Sequence, residues 1–327
     1  MINNKWVERI EFANSGLPLY VHLVAKRLVK TSDHVRLGVS RISSAEVCEN
    51  PVFIISFGRS GSTLLFRLLS LCKDLKSLRR ENPVLGHFLR KMANKRDLFY
   101  CKLTEDDVSR ENVDRVRRAF FIYFGKRRFV DKLPSYCYYV RFLHAVFPEG
   151  KFLFLYRKAL GNINSWMNAW RHRRFLGRKV PVKLDIAGYE GRNWVGPFFP
   201  NWRDYINASL EQVCARQWVS AHETMLEDKS QIALENRYEL FYDSLICKPV
   251  ETLSEICNWL GIAMSGELRE AAKKLEPLNA VTAPREDKWR EENPGLISVT
   301  SVTEGTQNRL LEAVAKFRKD SQWEPHE

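Results

Sequence analysis

The sequence predicts an α/β fold of three layers, in which a central, mainly parallel sheet is flanked by helices on both faces. Two observations support this prediction: short apolar runs of β-forming residues recur along the chain, and each is followed by a helical or long mixed segment. The predicted strands are residues 52–57, 128–131, 152–156 and 233–241. Apolar residues at helical spacing predict helices over residues 62–72, 107–121, 136–147, 210–227, 250–260 and 306–317.

The chain is predicted to form one domain, residues 1–327. Of these residues 45% are hydrophobic, enough to bury a substantial core, and no shift in composition marks a strong domain boundary. Residues 1–50 are expected to form a helical preamble, residues 51–261 the core, and residues 262–327 a C-terminal loop and helix.

The chain carries a strong positive charge. Its 52 lysines and arginines exceed its 39 aspartates and glutamates, and the net charge of +13 indicates acidic partners. Charge alone does not choose among a nucleotide, a sulfated or phosphorylated substrate, a nucleic acid and an anionic lipid. No recognised nucleic-acid-binding module occurs in the sequence, so nucleic acid is not the expected partner.

The cysteines and the hydropathy pattern predict a cytoplasmic protein. The seven cysteines are widely spread and contain no C-x-x-C pair, so they indicate neither a disulfide framework nor a zinc site. Reduced thiols are normal for such cysteines in a cytoplasm. No apolar run approaches the roughly 18 residues of a membrane span. Residues 16–28 are interpreted as a packed helix, with a helix on a lipid surface as the alternative.

A turn of small and polar residues joins the first predicted strand to the first predicted helix, in the stretch VFIISFGRSGSTLLFRLLSLC, residues 52–72. Unpaired amides and the dipole at a helix N-terminus favour anions, and Gly58, Ser60 and Gly61 permit a close approach of the backbone. Ser62 and Thr63 are expected to cap the helix and to donate hydroxyls to an oxyanion. The turn is therefore a candidate phosphate cradle.

This turn differs from the nucleoside-triphosphate loop G-x-x-x-x-G-K-[ST] at two positions. Ser62 lies where that loop has its lysine, and Ser56 where it has its first glycine, while Arg59 supplies a cation earlier in the turn. From this segment alone, an ordinary turn between a strand and a helix and a degenerate kinase loop are the alternatives.

A second predicted strand also ends in a basic residue. Arg157 follows the run 152–156, and Ser165 lies eight positions later on the helix expected next. Because the ends of parallel strands open onto one edge of a sheet, both side chains can face one phosphate there. Taken singly, Arg157 has the more ordinary explanation of a helix cap or a surface ion pair, and Ser165 that of a neutral helix position.

Four segments in this order resemble the sulfotransferase superfamily that uses 3′-phosphoadenosine 5′-phosphosulfate (PAPS). FGRSGSTLL resembles its 5′-phosphosulfate loop and LYRKALGNINSW its 3′-phosphate element, while DKLPSYCYYVRFLHAVFPEGKFLFLYR and NRYELFYDSLICKPVETLSEICNWLGI resemble two further family segments. The resemblance covers residues 51–261 and implies a P-loop-like version of the three-layer fold. Lys158 and Ala159 depart from the usual Asp-Pro, and Phe241 and Tyr242 displace a usual leucine.

The resemblance also implies the roles of individual residues. Arg59 and Leu64 place the chain nearer to the tyrosylprotein and carbohydrate branch than to the cytosolic small-molecule enzymes, and Glu81 matches the base of the tyrosylprotein enzymes. Arg59 and Lys132 are expected at the sulfuryl and bridging oxygens. The residues expected to contact the nucleotide are Arg59, Ser60, Gly61, Ser62, Thr63, Arg157, Ser165, Tyr238 and Lys288.

Two of the catalytic assignments have alternatives. Glu81 can instead cap a helix that begins near Pro83 or form an ion pair with the neighbouring arginines, and His87 is the alternative base. Lys132 can be an ordinary charge at a strand edge.

The nucleotide contacts nearer the C-terminus have alternatives as well. Tyr238 can be a structural hydrogen-bond former. Within the charged segment 280–297, Arg285 is an alternative to Lys288 at the 3′-phosphate, and a solvated charged loop is the alternative to both.

Residues 171–205 form a long segment rich in arginine, glycine, proline and aromatic residues, and this segment is expected to be the acceptor wall. Its aromatic side chains can stack on sugar or aryl rings while its arginines attract an acidic acceptor. The alternative is that the rings form the core of an irregular subdomain. The aromatic residues concerned are Trp170, Trp194, Phe198, Phe199 and Trp202.

Taken together, the motifs predict an enzyme that transfers a sulfuryl group from PAPS to an acceptor hydroxyl of a carbohydrate, peptide or metabolite and releases PAP. No metal is expected, because side chains supply the cations that the transferred group needs. The alternatives are a nucleotide kinase with a degenerate loop and a non-catalytic protein that binds PAPS or nucleic acid. The acceptor and the oligomeric state remain open.

Overall fold

The computed structural model of the protein describes residues 50–79, 81, 102–172, 177–275 and 287–321. Except for Asn50, the helical preamble predicted for residues 1–50 lies outside these ranges.

Four parallel strands form the central sheet, as predicted. The described strands are β1 (Val52–Ile55), β2 (Val130–Lys132), β3 (Lys151–Tyr156), β4 (Arg178–Lys179), β5 (Asn193–Trp194) and β6 (Arg237–Phe241). The order across the central sheet is β2-β1-β3-β6, and Val52 of β1 lies opposite Val130 of β2 and Lys151 of β3. A separate antiparallel pair joins β4 to β5.

Helices cover both faces of this sheet. The described helices are α1 (Ser62–Leu69), α2 (Arg110–Phe124), α3 (Val140–Val146), α4 (Ala159–Arg171), α5 (Leu210–Asp228), α6 (Tyr242–Cys247), α7 (Pro249–Leu260), α8 (Gly266–Lys273), α9 (Trp289–Glu292) and α10 (Thr300–Asp320). Among these, no helix combines the length and the apolar character that crossing a membrane requires.

The alternation of side chains along the strands separates two hydrophobic cores. Phe53 and Ile55 of β1 face a core that includes residues of α2, α3, α4 and α5, whereas Val52 and Ile54 face a core that includes residues of α1, α7 and α8. Apolar residues therefore follow one another without interruption along β1, as expected for a parallel strand that is buried on both faces. The three predicted layers are present.

Several element boundaries differ from the sequence predictions by a few residues, and two of these differences have a clear physical reason. The fourth strand begins at Arg237 rather than at residue 233, because Leu234–Asn236 forms a 3₁₀ turn. Helix α10 begins six residues earlier than the apolar pattern indicates. Its first turns are polar and dock by hydrogen bonds, such as that from the Thr306 hydroxyl to Glu223 of α5, and an apolar pattern does not detect such contacts.

The connections between strands create a crevice at one edge of the sheet. The chain leaves β1 toward β2, and it leaves β3 toward β6 on the other side. Helices α1 and α4, which follow β1 and β3, belong to opposite layers, so the turns after these neighbouring strands diverge. Such a switch point at the carboxyl ends of strands is where open α/β sheets bind ligands.

Candidate functional site

The turn after β1 leads into α1 through a glycine in the left-handed conformation. Gly61 is the N-cap of α1, with φ at 91°, and no side chain caps the helix. The predicted capping role of Ser62 and Thr63 is therefore wrong. Both residues lie in the first turn of α1, where backbone amides have no partner within the helix, so the turn keeps the features of an anion site.

Two aromatic rings explain why glycines occupy this turn. A Cβ added at Gly58 would lie 2.5 Å from Cζ3 of Trp166, and one added at Gly61 would overlap the ring of Tyr242. The rings belong to α4 and α6, which follow β3 and β6. Both glycines thus allow helices from neighbouring strand ends to pack directly on the backbone of the turn.

Polar side chains from α4 and the end of β3 hold the same turn. Asn162 Nδ2 donates to the Gly58 carbonyl at 3.1 Å, and Arg157 Nη1 donates to the Arg59 carbonyl at 2.8 Å. Arg59 Nε in turn donates to Ser165 Oγ at 3.3 Å. The structure therefore brings Arg59, Arg157 and Ser165 together, as the convergence of strand ends predicted. It also holds Arg59 at a φ of 68°, a region that non-glycine residues seldom adopt.

Arg157 is packed against a residue that the sequence interpretation missed. Its guanidinium carbon lies 5.0 Å from the ring centre of Tyr242, and burial lowers the pKa of Arg157. Tyr242 is the first residue after β6, so it occupies a third strand end beside the crevice. Its place directly after an apolar strand run was the available signal.

The structure does not bring the predicted contact Tyr238 together with Arg59, Arg157 and Ser165. Its side chain belongs to the core beneath α7, with its ring 5.4 Å from that of Trp259 and its hydroxyl donating to Glu255 at 2.7 Å. It lies opposite Leu153, three residues before the end of β6. The alternative of a structural hydrogen-bond former describes it.

A lysine and a glutamate meet beside the turn that joins β1 to α1. Lys132 ends β2, and its Nζ lies 2.7 Å from Glu81 Oε1 and 3.4 Å from Thr63 Oγ1. The Lys132 side chain is 5% exposed and that of Glu81 is 48% exposed. The carboxylate can therefore be reached from solvent, whereas the lysine side chain is buried. Two further predictions, the alternative base His87 and a helix near Pro83, lie outside the described residues.

Asp131, next to Lys132, carries a carboxyl group in the core. It accepts a hydrogen bond of 2.5 Å from the Tyr136 hydroxyl through Oδ2. Burial raises its pKa from 3.8 to about 7, although the Tyr136 hydrogen bond opposes the rise. Around neutral pH, the Asp131 carboxyl group next to Lys132 therefore changes its charge with pH.

Replacing Asp131 with asparagine is expected to reduce the pH dependence of stability. Between about pH 4 and pH 7 the folded state binds more protons at Asp131 than the unfolded state, so wild-type stability falls as pH rises through this range. The variant should avoid this loss, which is on the order of 3 kcal/mol. Urea unfolding of both proteins at pH 4.5 and 7.5 measures the difference. Identical pH dependence of the two proteins would contradict the assignment.

Lys288 lies close to the helix that carries Ser165. Its Nζ lies 3.4 Å from Glu292 Oε1, and Glu292 Oε2 accepts hydrogen bonds from Asn164 at 2.8 Å and Asn168 at 2.9 Å. Both asparagines belong to α4. These contacts attach Lys288 and α9 to α4, whereas the alternative residue Arg285 lies outside the described residues.

The five aromatic residues that were predicted to form an acceptor wall are all buried, so that prediction is wrong. The rings of Trp194 and Phe198 stack at 5.3 Å, and Trp202 packs on both of them. All five predicted rings belong to the core on the α4 side of the sheet. They form the interior of an irregular subdomain, which was the alternative, and Arg173 and Arg174 of the 171–205 segment lie outside the described residues.

Comparison with known proteins gives one family match and several similar folds. Residues 51–266 match the model of the family described as "Sulfotransferase family". The sulfotransferase from Alicyclobacillus acidocaldarius is similar at 14% identity, covering 83% of this chain and 100% of that chain, with a TM-score of 0.47. The sulfotransferase STF9 from Mycobacterium avium is similar at 12% identity, covering 92% of this chain and 88% of that chain, with a TM-score of 0.45. The sulfotransferase domain from the curacin biosynthetic pathway is similar at 18% identity, covering 79% of this chain and 98% of that chain, with a TM-score of 0.44.

Proposed function

Because the chain belongs to the sulfotransferase family, we propose that it transfers a sulfuryl group from PAPS to an acceptor hydroxyl and releases PAP. One observation carries the choice of donor: Arg59, Arg157 and Ser165 converge at the ends of β1 and β3. They lie beside the N-terminus of α1, which follows the turn of residues 58–61, called the phosphate turn below. A donor with separate phosphate groups on its 5′ and 3′ sides suits a site with an anion-binding turn and a second group of cations.

The proposed placement of the nucleotide follows from these contacts. The 5′-phosphosulfate lies in the turn, against the amides of Gly61 and Ser62 and the hydroxyl of Thr63. The 3′-phosphate lies against Arg157 and Ser165, with Lys288 nearby.

Arg59 is assigned to the phosphates of the nucleotide rather than to the sulfuryl oxygens. Its side chain contacts Ser165 on α4, on the side of the turn away from Glu81 and Lys132. Tyr242 replaces Tyr238 as the tyrosine of the nucleotide site, because its ring packs against both Gly61 and Arg157.

Lys132 and Glu81 carry the proposed chemistry. As the acceptor oxygen forms its bond to sulfur, the bond between sulfur and the bridging oxygen of PAPS breaks, and negative charge develops on that oxygen. Lys132, held beside Thr63 at the phosphate turn, stabilises this charge. Glu81 takes the proton of the acceptor hydroxyl. The 2.7 Å contact between Lys132 Nζ and Glu81 Oε1 supports this pairing of a base with a cation.

Two alternatives to this function remain testable. A nucleotide kinase would need a cation at the position of Ser62, where the nucleoside-triphosphate loop has its lysine. A non-catalytic nucleotide-binding protein would not need the paired Lys132 and Glu81. The acceptor class, whether carbohydrate, peptide or metabolite, is left to experiment.

Calorimetry with PAP tests the proposal first. The folded protein is expected to bind PAP, and to bind adenosine 5′-monophosphate at least about tenfold more weakly, because the latter lacks the phosphate that Arg157 and Ser165 would contact. Labelled PAPS with a panel of acceptor classes then measures transfer. A folded sample that binds ATP but not PAP at high micromolar concentration would instead support the kinase alternative.

A further inference from the structure

We propose that Trp166 is a positioning residue. Its indole is held in place by Gln217 and fixes the distance between the phosphate turn and α4. As far as nucleotide binding is concerned, this inference rests on the proposed function. Trp166 itself touches no reacting group. It acts through Gly58 and the residues that follow it in the turn.

The indole is enclosed between two segments of backbone. On one side lies Gly58, where an added Cβ would come 2.5 Å from Cζ3 of the indole. On the other side lies Gly196, which belongs to the irregular subdomain of the 171–205 segment, and an added Cβ there would overlap Cζ2 of the indole. The Phe57 ring packs on the indole at 5.0 Å between ring centres. One side chain therefore spaces the phosphate turn from the subdomain.

Gly58 is required by this contact rather than by its own conformation. Unlike Gly61, it does not have a positive φ, so its backbone could accommodate other residues. The space for its side chain is instead filled by Trp166. One helical turn earlier on the same face of α4, Asn162 holds the Gly58 carbonyl. Two residues of α4 thus fix a single residue of the turn.

The Gln217 amide locks the indole in this position. Its Oε1 accepts from Trp166 Nε1 at 2.7 Å and from Trp170 Nε1 at 3.1 Å. Its Nε2 donates to the carbonyls of Val195 at 2.9 Å and Pro197 at 2.7 Å. Gln217 is fully buried, and these four bonds use all the hydrogen-bonding capacity of its amide. The ring can therefore not turn away from Gly58 without breaking a buried network.

Trp166 and Trp170 form a matched pair for a test. Both donate to the same oxygen of Gln217 and both are buried, but Trp166 lies against Gly58 of the turn whereas Trp170 packs on Tyr189 and Trp194. Trp166→Phe is expected to weaken PAP binding about tenfold, with Trp170→Phe close to wild type. Calorimetry measures both affinities, and urea unfolding measures stability. Equal effects of the two variants on PAP affinity would overturn the inference.

A double-mutant cycle separates positioning from general destabilisation. Gly58→Ala is expected to weaken PAP binding because its methyl group meets the locked indole. In the Trp166→Phe background the same substitution should cost much less, because the phenyl ring lacks the outer atoms of the indole. Purely additive effects on affinity would overturn the inference.

The same cycle, measured by urea unfolding, needs no nucleotide. If the wild-type protein does not bind PAP, the proposed function fails, and the coupling in stability between Gly58→Ala and Trp166→Phe then decides the inference by itself. Coupling supports the contact between indole and turn, and additivity refutes it.

Discussion

Replacing Arg157 with alanine is expected to weaken PAP binding by about 100-fold. The side chain performs two tasks: it holds the Arg59 carbonyl at 2.8 Å, and it presents its buried charge toward the proposed 3′-phosphate. Loss of the charged hydrogen bonding to the phosphate, worth about 1.5 to 3 kcal/mol, gives a magnitude of this order. Calorimetry with PAP measures the change.

Two other arginine variants serve as controls for this result. Arg157→Lys keeps the charge but loses the planar fork that can reach a phosphate and the Arg59 carbonyl together, so an intermediate affinity is expected. Arg171→Ala removes an arginine from the far end of α4, where it contacts Gly188 and Asn293, and should leave PAP affinity unchanged. If Arg157→Ala behaves like Arg171→Ala, the 3′-phosphate binds elsewhere.

Replacing Glu81 with glutamine is expected to lower kcat about 1000-fold and to leave PAP affinity within about twofold of wild type. Glutamine keeps the shape of the side chain and an oxygen that can accept the hydrogen bond from Lys132, but it cannot take the proton of the acceptor. General bases contribute factors of about 10² to 10⁴ in rate. The measurement combines transfer from labelled PAPS, with an acceptor found in the panel, and calorimetry with PAP.

Glu111→Gln is the matched control for this experiment. Glu111 is an exposed glutamate that pairs with Arg115 on α2. The kcat and the PAP affinity of the Glu111→Gln variant should therefore equal those of the wild-type protein. If Glu81→Gln turns over at the wild-type rate, the base is another residue, and His87→Ala becomes the next variant to measure.

The sheet and the meeting of its strand ends could be predicted because both follow from local patterns. Uninterrupted apolar runs identify strands that are buried on both faces, and parallel strands necessarily end at one edge. Arg59 and Arg157 could therefore be expected in one site from their places after two such runs. Membership of the sulfotransferase superfamily, inferred from four motifs, is confirmed by the family match over residues 51–266.

Other features depend on tertiary contacts that no local pattern contains. Whether Tyr238 or Tyr242 reaches the crevice depends on where β6 ends, and four residues along a strand correspond to about 13 Å. Similarly, a tryptophan such as Trp194 suits a ligand wall and a hydrophobic core equally well until its neighbours are known. The cap of α1 was missed because the left-handed Gly61 replaces a side-chain cap.

The long sequence separation within the site has a consequence for how the protein becomes competent to bind. The Arg157–Arg59 and Arg59–Ser165 contacts join residues 98 and 106 positions apart. Such contacts form only when the ends of a long loop have been brought together, at a cost in chain entropy that local contacts do not carry. A fragment or a partly folded chain therefore contains the motifs without the site. Any ligand of the crevice binds only the native state, and its binding energy adds directly to the stability of the assembled sheet.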